Sequence, residues 1–255
     1  MSRVTDPGSS WDRRAFAFDR RIADSADPFV RLVEENVPLS RDFTELLDIG
    51  CGSGTYALPF AGRVRSVKGV DVSPEMIRLA RSKAEETGAS NADFSVVDWD
   101  SADVSRLGRF NLTFAHMTPA VHDGSTFAKM LSVSSGWCFL AGYIARESRA
   151  WDEIYSIIGE PEAPEFRKLT DAQETLWRLG KVPHLAQFRR RMHKRWDPAD
   201  AEAFYVEAVR SFSDMDGEQE DRLRRWVREE SSGGVYEETS HPVIGVLYWD
   251  MADSA

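Results

Sequence analysis

Three glycines alternate in Leu46-Leu47-Asp48-Ile49-Gly50-Cys51-Gly52-Ser53-Gly54-Thr55, with an acid, Asp48, just ahead of them. Glycine enters backbone conformations at positive φ and carries no Cβ to hold a ligand off the main chain. An apolar run feeding such a turn, and then a helix, sets backbone N–H groups beside a ligand. Further along, three strand candidates each end in residues of ligand type: Asp71 after 66–70, Asp98 with Trp99 after 94–97, and His116 after 110–115. Ionised carboxylates only accept hydrogen bonds, which suits the hydroxyl and amino groups of a nucleoside. The set predicts a nucleotide-like cofactor lying across the glycine turn.

These residues need elements to hold them. The spacing predicts strands at 45–49, 66–70, 94–97, 110–115 and 136–144, most of them apolar on both faces. Between them lie helices at about 56–61, from Pro74 to a stop at Gly88, and at 126–131. Ser73-Pro74-Glu75 is a helix start of cap, proline and acid, and Met76, Ile77, Ala80 and Ala84 give that helix its buried side. Alternating buried strands and helices make a parallel sheet covered on both faces, whose ligands gather at the carboxyl ends of the strands. Ahead of the core, apolar residues at 11, 15, 18 and 22 predict a helix. A second is expected from Pro28 to Asn36, capped by Asp27. After the core, 151–179 reads as helical with loops near Pro161 and Pro164, 185–196 as a strand, 198–211 and 218–230 as helices, and 241–250 as a last strand. The last two strands are expected to pair antiparallel. The whole reads as one domain over 1–255. It would comprise an N-terminal helical lid (1–42), a cofactor-binding core (43–145), a helical substrate-side insertion (146–184) and a C-terminal strand pair with helices (185–255).

Composition narrows the function. The chain has 255 residues and a formal net charge of −10. An acidic chain lacks the basic face that nucleic acid demands, so neither nucleic acid nor an anionic membrane surface is an expected partner. No apolar run approaches the roughly 20 residues of a spanning helix, and the first residues lack a signal-peptide apolar region, so a cytoplasmic protein is expected. The cysteines, Cys51 and Cys138, have no metal-spaced neighbours and read as reduced thiols, with no metal site.

Taken together, Leu-Leu-Asp48-Ile-Gly50-Cys-Gly52-Ser-Gly54, Gly-Val-Asp71-Val-Ser73-Pro-Glu-Met76 and Val-Val-Asp98-Trp99 resemble the first three motifs of class I methyltransferases that use S-adenosylmethionine, over residues 43–145. The start at Trp11 resembles the N-terminal helix of the small-molecule members. The resemblance implies an α/β fold, a doubly wound, mostly parallel seven-stranded sheet with an antiparallel last strand and helices on both faces. It implies S-adenosylmethionine as methyl donor and S-adenosylhomocysteine as product. The backbone from Gly50 through Cys51 and Gly52 to Gly54 would approach the methionine part, with Asp48 orienting the turn. Asp71, with Val72 beside it, would accept from both ribose hydroxyls, and Met76 would lie against the adenine. Asp98 would accept from the adenine amino group, the Trp99 N–H would meet a ring nitrogen, and His116 would sit near the sulfonium.

Each residue also has a plainer reading: Met76 as core, Asp98 as a helix cap, His116 as a support for the cofactor rather than a catalytic base. A glycine turn with an acid such as Asp71 also occurs in nicotinamide-dependent oxidoreductases, although Thr55 stands where that fingerprint wants Gly or Ala. A non-catalytic module that binds S-adenosylmethionine is a third reading. Methyl transfer is an in-line displacement in which alignment and exclusion of water matter most. Amino-methyltransferases of nucleic acid carry an Asn/Asp-Pro-Pro-aromatic box where this chain has His116-Met117-Thr118-Pro119. A small-molecule acceptor is therefore expected, with Trp11, Phe18, Met117, Tyr143 and Tyr155 as candidate contacts. The alternating cations at 189, 191, 193 and 195 read as a soluble edge strand.

Overall fold

The most apolar runs, at Leu46–Ile49 and Leu112–Ala115, become buried strand here, and the residues between strands supply the helix caps. The computed structural model describes residues 22–159, 167–210 and 213–252. The expected helix at 11–22 falls, except for Ile22, outside them. The chain groups into two compact units. One holds the chain up to Gly142 with Lys168–Ala186 and Val246 onward, and the other holds Tyr143–Arg167 and Gln187–Gly245. The stretch 146–184 is thus divided between the two units.

The first unit is built on β1 (Glu45–Ile49), β2 (Ser66–Asp71), β3 (Ala92–Val96), β4 (Phe110–His116) and the first part of β5 (Ser134–Glu147). The end of β8 (Tyr236–Asp250) and the start of β6 (His184–Arg189) complete it, in the order β3-β2-β1-β4-β5-β8-β6. The pairs β1–β2, β2–β3, β1–β4 and β4–β5 are parallel. Strand order reverses between β1 and β4, the place where open α/β sheets form a crevice at the carboxyl ends.

Local chemistry sets the helices. α1 (Pro28–Asn36) starts where Asp27 accepts from the Phe29 N–H at 2.8 Å. α2 (Pro74–Thr87) starts where the Ser73 hydroxyl accepts from the Met76 N–H at 3.1 Å and ends at Gly88 in the left-handed conformation; it buries Met76, Ile77, Ala80 and Ala84. α3 (Gly124–Val133) carries a reciprocal capping box between Asp123 and Thr126. The helix expected at 56–61 is only a 3-10 turn, Leu58–Phe60. Pro59 has no N–H to return to Thr55, and the Thr55 carbonyl accepts instead from Ala23 N–H at 2.9 Å.

The second unit packs α4 (Arg149–Ile158), α6 (Pro198–Arg210) and α7 (Gly217–Glu230) around Ile154, Tyr205, Val209, Leu223, Val227 and Tyr236. Glu238 is buried there and accepts from the Ser148 hydroxyl at 2.7 Å and from the Tyr205 hydroxyl at 2.8 Å. Burial, with the Glu238 charge, pushes the Tyr205 phenol far up, so it stays a donor. β7 (Met192–Trp196) pairs antiparallel with β8, from Met192 opposite Ser240 to Trp196 opposite Tyr236.

Eight strands appear among the described residues, not the expected seven, because the run 185–196 is two strands. The break falls at Arg190, whose N–H donates to the Pro242 carbonyl at 3.0 Å. Pro242 has no N–H to give back, so the ladder cannot run through it unbroken. Arg189, Arg191, His193 and Arg195 are exposed, and Arg195 pairs with Glu237 at 2.9 Å across the β7–β8 ladder, as expected of a charged edge.

Candidate functional site

Register brings the glycine turn to its place. Ile49 lies opposite Val70, so Gly50 leaves β1 beside the end of β2, where Asp71 stands. Gly50, Gly52 and Gly54 all have positive φ, at 67°, 51° and 76°. The Gly50 and Cys51 N–H groups both donate to the Val70 carbonyl, at 2.8 and 3.0 Å, and Gly54 N–H donates to the Cys51 carbonyl at 3.0 Å. Gly52 N–H donates to Asp71 Oδ2 at 2.8 Å, while Ser73 N–H donates to Asp71 Oδ1 at 2.9 Å. One carboxylate therefore joins the turn after β1 to the cap of α2. The turn holds its shape with its own N–H groups at 50, 51, 52 and 54, rather than leaving them all for a ligand.

What the turn does leave open is the space over Gly52. A Cβ built there would meet nothing closer than the Met76 sulfur, at 3.9 Å, whereas one on Gly50 would stand 1.9 Å from Thr118 Oγ1. Met76 is otherwise buried, so it is both core and the edge of that opening. Val72 and Asp71 are half-buried at the same strand end. The Lys83 amine on α2 donates to the Ser53 hydroxyl at 2.8 Å and braces the turn from below.

Asp48 is buried on β1. Burial first, and then the Asp71 charge, hold its carboxyl well above the ordinary range. A carboxyl raised in this way favours the fold most below the ordinary carboxylate range, and that advantage is lost as pH rises through its folded-state value. Asp48→Asn is therefore expected to raise the unfolding temperature at neutral pH, with the gain shrinking to nothing below about pH 4. Unfolding temperatures of both proteins across that range test it, and a pH-independent difference would contradict it. Cys51 is buried, and its sulfur lies 2.9 Å from where a Cβ on Gly69 would stand, so the side chain packs into the sheet. Burial, with the Asp48 and Asp71 charges, pushes its thiol up and keeps it protonated. Only its backbone belongs to the turn.

Asp98 and Trp99 divide. The Asp98 carboxylate is exposed and accepts from the Asp100 N–H at 3.1 Å and the Ser101 hydroxyl at 2.7 Å, as a local cap does. The Trp99 ring is buried and its Nε1 donates to the Thr126 carbonyl at 3.1 Å. At the end of β4, the His116 ring is half-buried between Tyr56 and Phe29, with centroids 3.8 and 4.4 Å away. Met117 follows with φ 53°, the one positive φ at a non-glycine residue among those described. Such a conformation is held only by its surroundings and clusters at functional sites.

The first unit thus brings together the turn, Asp71, Val72, Met76, His116 and Met117. Tyr143 and Tyr155 belong to the second unit. There the Arg146 guanidinium lies 5.3 Å from the Tyr143 ring centre and donates to the Tyr155 hydroxyl at 3.2 Å. Trp11 and Phe18 lie outside the described residues. Sequence reasoning passed over Tyr56, Lys83 and Thr118. Tyr56 could have been suspected from its place just past the glycines; the other two are brought in by the fold.

A family model described as a methyltransferase domain matches residues 46–134, the stretch that carries the turn, Asp71, the Asp98-Trp99 pair and His116. Residues 46–134 are thus similar to a methyltransferase domain. Aklanonic acid methyltransferase DauC of Streptomyces sp. (strain C5) is 36% identical to this chain over 93 residues, which is 35% of this chain and 41% of DauC. The 23S rRNA (uracil(1939)-C(5))-methyltransferase RlmD of Stenotrophomonas maltophilia is 43% identical over 53 residues, 21% of this chain and 12% of RlmD. The match thus spans less than half the length of either curated relative. The BH2331 protein of Bacillus halodurans C-125 shares the fold of this chain, with a TM-score of 0.53 at 16% identity, over 87% of this chain and 97% of that one. No helix among the described residues is long and apolar enough to cross a membrane.

Proposed function

We propose that the protein transfers the sulfonium methyl of S-adenosylmethionine to a small-molecule acceptor by in-line displacement and releases S-adenosylhomocysteine. The observation that carries this reading is the cradle over Gly52: a turn at positive φ with open space where a Cβ would stand, rimmed by Met76 and closed by Asp71. That opening fits the donor, which supplies an electrophilic methyl carbon when bound. The Gly52–Gly54 backbone would take the methionine part, Asp71 the ribose hydroxyls, and Met76 and Val72 the flat face of the base. The Asp71 oxygens accept from the Gly52 and Ser73 N–H groups, and an ionised carboxylate offers about four acceptor sites in all. The aromatic wall of Phe29, Tyr56 and His116 excludes water from the end of β4. His116 is assigned to that wall and to the neighbourhood of the reacting methyl.

The acceptor is assigned as a small molecule on two grounds. The net charge of −10 opposes a polyanion, and DauC, named for an acid, matches 93 residues of the chain at 36% identity. Calorimetry with S-adenosylhomocysteine tests the cofactor, and methyl-labelled donor with a panel of small acids, phenols, amines and thiols, set beside RNA, tests the acceptor. Protection from unfolding by NAD(H) but not by S-adenosylhomocysteine would overturn the reading. Binding without transfer to any acceptor would leave a non-catalytic module.

A further inference from the structure

Lys168, the second residue of α5 (Arg167–Arg178), is a half-buried lysine that the site as described above does not use. Its amine donates to the Thr118 carbonyl at 2.9 Å. Thr118 is the residue whose side chain stands against Gly50, and it follows the strained Met117 at the tip of β4. The Lys168 Cε lies 3.7 Å from where a Cβ on Gly142 of β5 would stand. The amine is therefore held at the carboxyl end of β4, beside Gly142 of β5 and one residue away from the glycine turn.

An ammonium has three donors, and the Thr118 carbonyl takes one. Among the described residues no carboxylate and no further acceptor lies within reach of the other two. The ionisable groups on the surrounding elements are Arg167 and Asp171 on α5 and His116 on β4, none in contact with the amine, while 134–142 of β5 carries no charge. Burial pushes the ammonium down to about 7. A buried amine of this kind weakens the fold wherever it is charged, and a methionine would fill the same space without that cost. Stability does not explain it, whereas a ligand that brings an anionic oxygen would.

We propose that Lys168 holds the methyl acceptor, and that the acceptor presents an acidic oxygen, a carboxylate or ionised phenol, to the Lys168 amine at the tip of β4. The proposal rests on the methyltransferase reading and deepens it by naming the acceptor's class. The anion takes the donors that Thr118 leaves, and its charge restores the ammonium. A neutral amide of the same shape brings no charge and is bound less well.

The test uses the full chain saturated with S-adenosylhomocysteine, with benzoate as probe and benzamide as its neutral counterpart. Lysine side chains carry a carbon label at Cε, and the Lys168 signal is assigned by its loss in Lys168→Arg. Benzoate is expected to move the Lys168 titration up toward the ordinary lysine value, and benzamide to leave it in place. Lys168→Met is expected to bind S-adenosylhomocysteine as the wild type does, to unfold at a higher temperature at neutral pH, and to bind benzoate about tenfold or more weakly. Lys168→Arg should retain benzoate. Equal benzoate affinity in Lys168→Met and wild type, equal binding of benzamide, or no response of Lys168 to benzoate would each overturn the assignment. Failure of the wild type to bind S-adenosylhomocysteine would instead strike the methyltransferase reading. Intact cofactor binding with an indifferent Lys168 strikes this inference alone.

Discussion

Gly50→Ala is expected to destabilise the first unit by about 2–5 kcal/mol, from two independent costs. The φ of 67° at this position is left-handed, which costs a residue with a Cβ about 1–2 kcal/mol. The new methyl would also stand 1.9 Å from Thr118 Oγ1 and 2.6 Å from Thr118 Cβ. Rotating the threonine relieves only the first of these contacts, because Cβ does not move with χ1. The backbone of Thr118 is itself tied, with its carbonyl accepting from Lys168, while its hydroxyl accepts from Ala120 N–H at 3.1 Å. Gly62→Ala is the control. Its Cβ would meet nothing within 4 Å, and its φ is not positive, so its effect should be near zero. Denaturant unfolding of the three proteins decides the matter, and a Gly50→Ala midpoint equal to that of Gly62→Ala would refute the packing argument. Gly50→Ala/Thr118→Ala should recover part of the loss, since Oγ1 and Cγ2 are gone while the φ cost stays.

The elements that could be read from the sequence are those whose signals are local. Asp27-Pro28 and Ser73-Pro74 mark the starts of α1 and α2 because a cap and its N–H partner lie within three residues of each other. β1 and β4 are mostly apolar and bury Leu46–Ile49 and Leu112–Ala115, because both their faces are covered. What escaped the reading depends on residues far away in the chain. The break between β6 and β7 is set by Pro242, some fifty positions on, and no feature of 185–196 alone announces it. The 3-10 turn at Leu58–Phe60 was legible in principle, because Pro59 stands inside the expected helix and removes the bond that would close it.

The candidate site divides along the same line. The glycines and Asp71 declare themselves by spacing, because the chemistry of a close backbone approach fixes residue type. Lys83 and Lys168 do not, since a lysine is ordinary on a helix and only the fold puts one against Ser53 and the other against Thr118. Asp98 shows the reverse case. It sits at the right strand end, yet its carboxylate is exposed and occupied by its own turn. Position in a motif places a residue on the rim; what its side chain does there depends on which donors it meets.

Asp71→Asn separates these cases most sharply. It is expected to weaken S-adenosylhomocysteine binding by about 100-fold, corresponding to the loss of one to two charged hydrogen bonds of about 1.5–3 kcal/mol each. Asp71 has two jobs at once. Its oxygens accept from Gly52 N–H at 2.8 Å and Ser73 N–H at 2.9 Å, and the proposal gives it the ribose hydroxyls as well. Asparagine keeps one acceptor oxygen and turns an NH2 toward the other N–H, so one of the two backbone donors faces a donor. Either the turn or the cap of α2 then shifts, and the cradle over Gly52 shifts with it. Asp98→Asn, which alters an exposed local cap, should change affinity little. Calorimetry on both variants, with unfolding temperatures to confirm that each is folded, gives the answer. If Asp71→Asn binds like wild type, Asp71 serves only to tie β2 to the turn, and the ribose contact must be sought elsewhere. If Asp98→Asn loses as much as Asp71→Asn, the Asp98 carboxylate leaves its cap to meet the base, and the plain cap reading of Asp98 fails.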